Sequence, residues 1–125
     1  MQTTFLKKKS SMPIGDLDRC HDGNGAIHWI GVLDGNDPGG GNVHFIHDDV
    51  LPPNTSIGVH THENDQEYYY IVSGNGVMTL DGKEHDVAAG DITVVFPGGS
   101  HGLANRSAND LRIIVISVRA EGEQR

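Results

Sequence analysis

Gly58-Val59-His60-Thr61-His62-Glu63-Asn64-Asp65-Gln66-Glu67-Tyr68-Tyr69-Tyr70-Ile71-Val72-Ser73-Gly74 is the stretch from which the fold follows. It reads as two extended runs joined by a polar turn. The first ends in His60-Thr61-His62. Alternate side chains of a strand share a face, so both imidazoles converge on one side. The second run opens on Glu67 and continues through aromatic and β-branched residues, which favour strands. A fourth residue of the same chemistry, His101, follows Pro97-Gly98-Gly99-Ser100. Three neutral imidazoles and one carboxylate suit a divalent transition metal and leave positions open for a small ligand. His60, His62, Glu67 and His101 are therefore the expected metal ligands.

The neighbours divide by facing. Glu63 adjoins His62 and points the other way, so it is the weaker carboxylate. Asp65 falls in the turn and is expected to stay solvated. Tyr69 and Ile71 share the face of Glu67, while Tyr68 and Tyr70 point outward. Tyr69 is either a core aromatic with a satisfied hydroxyl or a proton donor to a metal-held ligand. It is the catalytic residue put forward, with His44, His47 and His28 as further acid or base candidates by their facing. His21, His28, His44, His47 and His85 lack mutual spacing or a carboxylate in register, and ordinary structural or surface roles are expected for them. His44 and His47 are three apart and face opposite sides of a strand; either is able to line a pocket.

Beyond this stretch the same texture continues. Strands are expected near 27–33, 43–50, 57–62, 66–73, 76–80, 83–87, 91–96, 100–105 and 111–118, each rich in β-favouring residues. The breaks carry turn chemistry: Ser73-Gly74-Asn75-Gly76, Asp81-Gly82 and Ala89-Gly90-Asp91. Pro52-Pro53-Asn54 ends one strand before the histidine strand begins. Residues 34–42 form a mobile loop in this reading. No segment keeps a 3.6-residue apolar period over more than two turns. The class is all-β, a sandwich or small barrel. One domain is expected over 1–125, with an N-terminal arm or partner-facing strand at 1–25 and barrel strands across about 27–118.

Seventeen acidic residues against nine basic ones leave a net charge of −8. That opposes nucleic acid and anionic membranes as partners. Lys7-Lys8-Lys9 reads as a solvated run in a loose N-terminus. Cys20 is the only cysteine, so there is no internal disulfide, and a single thiol fits a reducing, cytoplasmic setting. Residues 1–13 show no apolar signal core, and no apolar run approaches the ~20 residues that span a bilayer.

Gly58-Val59-His60-Thr61-His62, four residues, Glu67, six residues and Gly74 resemble the first motif of the cupin family. Gly90-Asp91, then Phe96-Pro97-Gly98, two residues, His101, three residues and Asn105 resemble the second. The resemblance runs from Leu51 to Asn105, 55 of 125 residues. Two positions depart: Asn54 stands where the family has Gly, and Phe96 where it has Pro. Asn is the next-best residue in a left-handed turn, and neither change removes a ligand. The resemblance implies a double-stranded β-helix, a jelly roll of two antiparallel sheets. It implies one divalent ion (Mn, Fe, Ni, Cu or Zn) held by His60, His62, Glu67 and His101, and a homodimer paired through its sheets. The wider run is similar to small oxalate-decarboxylase-like cupins. In the oxalate enzymes an arginine stands three residues before the first metal histidine and grips the substrate. This chain has Ile57 there, so the clamp is absent unless another arginine folds in.

A divalent ion beside one carboxylate leaves about +1 at the centre, which favours a small anionic or enolisable ligand. Decarboxylase or lyase chemistry, dioxygenase chemistry, and sugar or keto-acid isomerisation all follow from such a site. A non-catalytic metal- and ligand-binding barrel is the alternative. No helix-turn-helix segment is visible, which weakens a stand-alone regulator.

Overall fold

The computed structural model describes residues 2–38 and 40–120. Met1, Gly39 of the expected 34–42 loop, and residues 121–125 of the expected domain lie outside the described residues. Ten strands follow in chain order: β1 (Ile14–Asp18), β2 (Ala26–Asp34), β3 (Val43–Leu51), β4 (Ser56–Thr61), β5 (Asp65–Ser73), β6 (Asn75–Leu80), β7 (Lys83–Ala88), β8 (Ile92–Val95), β9 (Ser100–Ala104) and β10 (Leu111–Arg119). Every pairing is antiparallel. Six strands form one sheet, in the order β1-β2-β3-β10-β5-β8, and four form the other, β4-β9-β6-β7. All nine expected strands are present, within one or two residues of their expected ends. No helix of the described residues is long and apolar enough to cross a membrane.

Local chemistry explains the turns. Asp81 and Gly82 have φ of 48° and 81°, as a two-residue hairpin of matching twist requires. Asn54 takes the left-handed φ of 64° that its place in the turn demands, so replacing Gly there costs the fold little.

Strict alternation builds the interior. On β10, Leu111, Ile113, Val115 and Ser117 are buried, and on β5, Glu67, Tyr69 and Ile71 are buried. Cross-strand register sorts these side chains into layers. Leu111 lies opposite Leu51, and Ile113 opposite both Asp49 and Ile71. Val115 lies opposite His47 and Tyr69, and Ser117 opposite Phe45 and Glu67. One end of the barrel is thus filled by Leu51, Ile71, Leu111 and Ile113, joined from the smaller sheet by Met78 and Leu103, none more than 2% exposed. Burying each such side chain stabilises the fold by about 1.5–3 kcal/mol. Glu67, Ser117 and the histidines around them lie toward the other end.

The N-terminal region holds one strand and one correction, to the lysine run. Within 1–25, β1 pairs with β2 of its own chain, and Asp16 sits 2.6 Å from His28 across the pair. All five β1 residues are exposed, so no alternation marks the strand in the sequence. The lysine run is not a purely solvated tail: Lys7 Nζ lies 2.7 Å from Asp37, tying the arm to the loop expected to be mobile.

Candidate metal centre

β4, β5 and β9 bring the site together. His60 lies opposite His101 across the β4–β9 pair, and His62 follows one residue beyond β4. Glu67 enters from β5 in the facing sheet. A bulge sets the phase of β4. Between the pairs Ile57–Leu103 and His60–His101, β4 advances three residues while β9 advances two. The extra residue turns Ile57 and His60 to the same side and leaves Val59 57% exposed outside. Strict alternation would have placed Ile57 opposite His60.

Hydrogen bonds at Nδ1 aim two of the imidazoles. His60 Nδ1–H donates to the Gly58 carbonyl in the bulge, 2.7 Å away. His62 Nδ1–H donates to Asp65 Oδ1 at 2.8 Å. Both Nε2 lone pairs therefore face inward. His62 Nε2 and His101 Nε2 stand 3.1 Å apart, and Glu67 Oε1 lies 3.3 Å and 3.0 Å from them. His60 Nε2 is buried and has no hydrogen-bond partner among the described residues. The four donor atoms all lie within 4.8 Å of one another. Inward lone pairs beside a carboxylate repel one another unless a cation joins them. Three N donors and one O donor form a cluster able to hold a metal ion of the divalent transition series. Burial pushes the His60 pKa down to about 4, against the hydrogen bond to Gly58, so this ring stays neutral at pH 7.

Several neighbours differ from expectation. Asp65 is not a solvated turn residue. It opens β5, is half-buried, and its second oxygen accepts the Ser117 hydroxyl at 2.5 Å. Ser117 in turn meets His44 Nδ1 at 3.3 Å. His44 reaches inward because the β3–β10 register slips there: Ser117 pairs with Phe45 and Val118 with Val43. His21, expected to be ordinary, stacks on His60 with ring centroids 3.6 Å apart. The spacing of His62 and Asp65, three apart, was the one sequence signal for this shell; the others are brought in by tertiary contact. His28 pairs with Asp16 at the surface, and His85 lies on exposed β7.

Tyr69 is buried, its ring 4.6 Å from that of His101. Burial, and after it the Glu67 carboxylate, holds its hydroxyl pKa well above the ordinary value. His47 also faces inward, stacked on Phe45 at 4.2 Å and edge-on to Trp29 at 5.4 Å. A cavity of about 150 Å³ opens beside Glu67, walled by Ile57, Tyr69, Val115, Phe45, His47 and Asp49 among others. Among the described residues neither Arg nor Lys lines it.

The family model for the cupin domain matches residues 48–117, more than half of the chain. The oxalate-binding protein of Thermotoga maritima is 38% identical over 68 residues, covering 54% of this chain and 56% of that protein. An uncharacterized protein of Methanocaldococcus jannaschii is 32% identical over 68 residues, 54% of each. The chain thus matches little more than half the length of these curated relatives. Over most of its course it is similar to the crystal structure of a predicted oxalate decarboxylase from Thermotoga maritima, with a TM-score of 0.85, 26% identity, and coverage of 92% of this chain and 99% of that one. The matched stretch contains His60, His62, Glu67 and His101, both sheets contribute to it, and sequence and fold agree: the chain belongs to the cupin family.

Proposed function

We propose that this cupin holds one divalent transition ion through His60, His62, Glu67 and His101 and acts on a small anionic or enolisable ligand. The observation that carries the reading is the set of inward Nε2 atoms, two of them fixed by acceptors at Nδ1, gathered around Glu67. The ion's contribution is Lewis acidity toward a ligand oxygen, with oxygen chemistry added for Fe, Ni or Cu; Mn and Zn suit the donor set equally. Decarboxylase or lyase, dioxygenase, and sugar or keto-acid isomerase activities share that requirement. The chain's own part is to aim the imidazoles inward, hold a ligand in a cavity walled by Ile57, Phe45 and Val115, and supply a proton. Tyr69 is the proposed catalytic residue. Its raised pKa keeps it protonated, which suits a donor and not a base. With no Arg or Lys in the lining, the ion is the cation that meets an anionic ligand.

Elemental analysis after dialysis tests the reading. One equivalent of divalent metal is expected in the wild type and little in Glu67→Ala or His101→Ala. Full retention by either variant overturns it.

A non-catalytic ligand-binding barrel is the second reading, favoured by the name of the Thermotoga relative, an oxalate-binding protein. Turnover separates the two: an enzyme loses it in Tyr69→Phe with metal content unchanged, and a binding module shows none with Mn, Fe, Ni or Cu loaded.

The architecture supports a single cupin domain over 1–125, with the arm at 1–25. A homodimer is supported by the outward face of the larger sheet. There Ile30, Ile46, Tyr70, Ile92, Ile114 and Ile116 stand where water-facing polar residues belong, Tyr70 and Ile92 being 43% and 56% exposed. The unpaired Cys20 supports a reducing, cytoplasmic setting.

A further inference from the structure

Asp49 occupies an unusual place for a carboxyl group. It is 3% exposed, and its Oδ1 has no hydrogen-bond partner among the described residues. A buried polar atom left unpaired forfeits its hydration without compensation, so such an atom in a folded chain calls for an explanation. Asp49 is no misplaced surface residue: it lies on β3 between the inward His47 and Leu51, and its outward neighbour Asp48 forms an ion pair with Arg112 at 2.7 Å. Its side chain lines the same cavity as Glu67 and Tyr69.

The register gives its position in that cavity. Glu67 lies level with Ser117, and Asp49 level with Ile113, two inward rows deeper. His47 and Tyr69 occupy the row between them, level with Val115. The cavity therefore has Glu67, the carboxylate of the four-donor cluster, at one end and the Asp49 carboxyl, its Oδ1 without a partner, at the other. Apolar and aromatic walls separate the two.

We propose that Asp49 is the second recognition group of this site: it accepts a hydroxyl from the far end of a short hydroxy-monocarboxylate whose carboxylate sits at the His60–His62–Glu67–His101 cluster. This rests on the reading of that cluster as a metal centre. Charge selects the class. A monocarboxylate needs one cation, and the metal supplies it. A dicarboxylate would bring its second anion against Asp49, with neither Arg nor Lys in the lining. A plain alkyl acid would leave Asp49 unpaired, as it is without a ligand. Size fits as well: a cavity of about 150 Å³ lies below the ordinary range of about 300–1,000 Å³ for drug-sized ligands, so the occupant is a compact molecule. Burial, with the Asp48 and Glu67 carboxylates, raises the Asp49 pKa to about 7, which gives this group access to a protonated form that both donates to and accepts from a hydroxyl.

The test is titration calorimetry of the manganese-loaded protein with acids of two to five carbons in three series. These are the ω-hydroxy monocarboxylates from glycolate to 5-hydroxypentanoate, the unsubstituted monocarboxylates, and the dicarboxylates from oxalate to glutarate. At the best-fitting length the wild type is expected to bind the hydroxy acid about tenfold or more tighter than its unsubstituted counterpart, as a hydrogen bond to a buried carboxyl warrants. Asp49→Leu should abolish that preference. Asp49→Asn keeps an acceptor in nearly the same shape; it should retain the preference and bind the dicarboxylates better than the wild type does. A hydroxy-acid preference unchanged in Asp49→Leu, or no such preference in the wild type at any length, overturns the proposal and leaves the metal reading standing. Elemental analysis of each sample separates the two: a wild type that holds no metal overturns both.

Discussion

Asp65 shows how much one side chain outside the ligand set contributes. Its carboxylate accepts from His62 Nδ1 and from Ser117, so it fixes both the tautomer and the ring plane of His62. Asp65→Ala is expected to weaken metal affinity by about 10–100-fold, measured by competition with a chelator, while Glu63→Ala leaves it unchanged. The second case is Asp49. Its folded pKa of about 7 stands above its ordinary value of 3.8, because burial disfavours the charged form. The folded chain then keeps a proton that the unfolded chain releases between those values. The protonated carboxyl's contribution is fully present below about pH 4 and is lost as pH rises through about 7. Asp49→Asn removes that loss. In protein stripped of metal the variant should gain stability over the wild type at pH 8, by at most about 4 kcal/mol, and little at pH 4. Urea unfolding at the two pH values measures it; equal differences at both would show that Asp49 titrates normally. The four ligand types were legible in the sequence, since the H-x-H spacing is a property of one strand. Asp49 was not: nothing in Asp48-Asp49 says which of the two faces inward until β3 is in register with β10.

The β4 bulge and the short 3-10 turn Cys20–Asp22 work as one unit. The turn runs so close to β4 that a Cβ at Gly58 would sit 1.9 Å from the His21 carbonyl oxygen. The same close passage lays the His21 ring on His60. The turn itself is held in an uncommon conformation, with Arg19, His21 and Asp22 all at positive φ between 51° and 61°. Gly58→Ala is therefore expected to destabilise the fold by about 1–3 kcal/mol, because backbone and not a flexible side chain must yield. Chemical denaturation gives the size, and loss of metal affinity in the same variant would show that the bulge carbonyl no longer aims His60. The strands were read correctly because alternation and turn residues act over a few positions. The bulge escaped that reading, because Gly58-Val59 looks like ordinary strand until paired with β9. β1 escaped it for the opposite reason: it buries nothing and carries no pattern.

The complete barrel packs apolar side chains at one end, with Glu67, Ser117 and the histidines around them toward the other, and it turns an apolar face outward. Alternation on β10 puts Ile114 and Ile116 on the side away from the core, level with Tyr70 and Tyr68 on β5. If a second copy covers this face, Ile114→Asp with Ile116→Asp should convert dimer to monomer by analytical ultracentrifugation and leave the metal content intact. A wild type that sediments as a monomer at micromolar concentration would sink the dimer reading.

Nine of the ten strands, the turn positions and the identity of the four donors follow from short-range chemistry: period-two alternation, positive-φ residues at turns, and imidazole or carboxylate at matching phase. They needed no partner strand to be read. The inward turn of Ile57, the Asp65–Ser117–His44 chain, the stacking of His21 on His60 and the unpaired Asp49 in the cavity arise between segments up to 73 residues apart. Such contacts depend on register and bulges between strands far apart in the chain, and that information exists only once the sheets have formed.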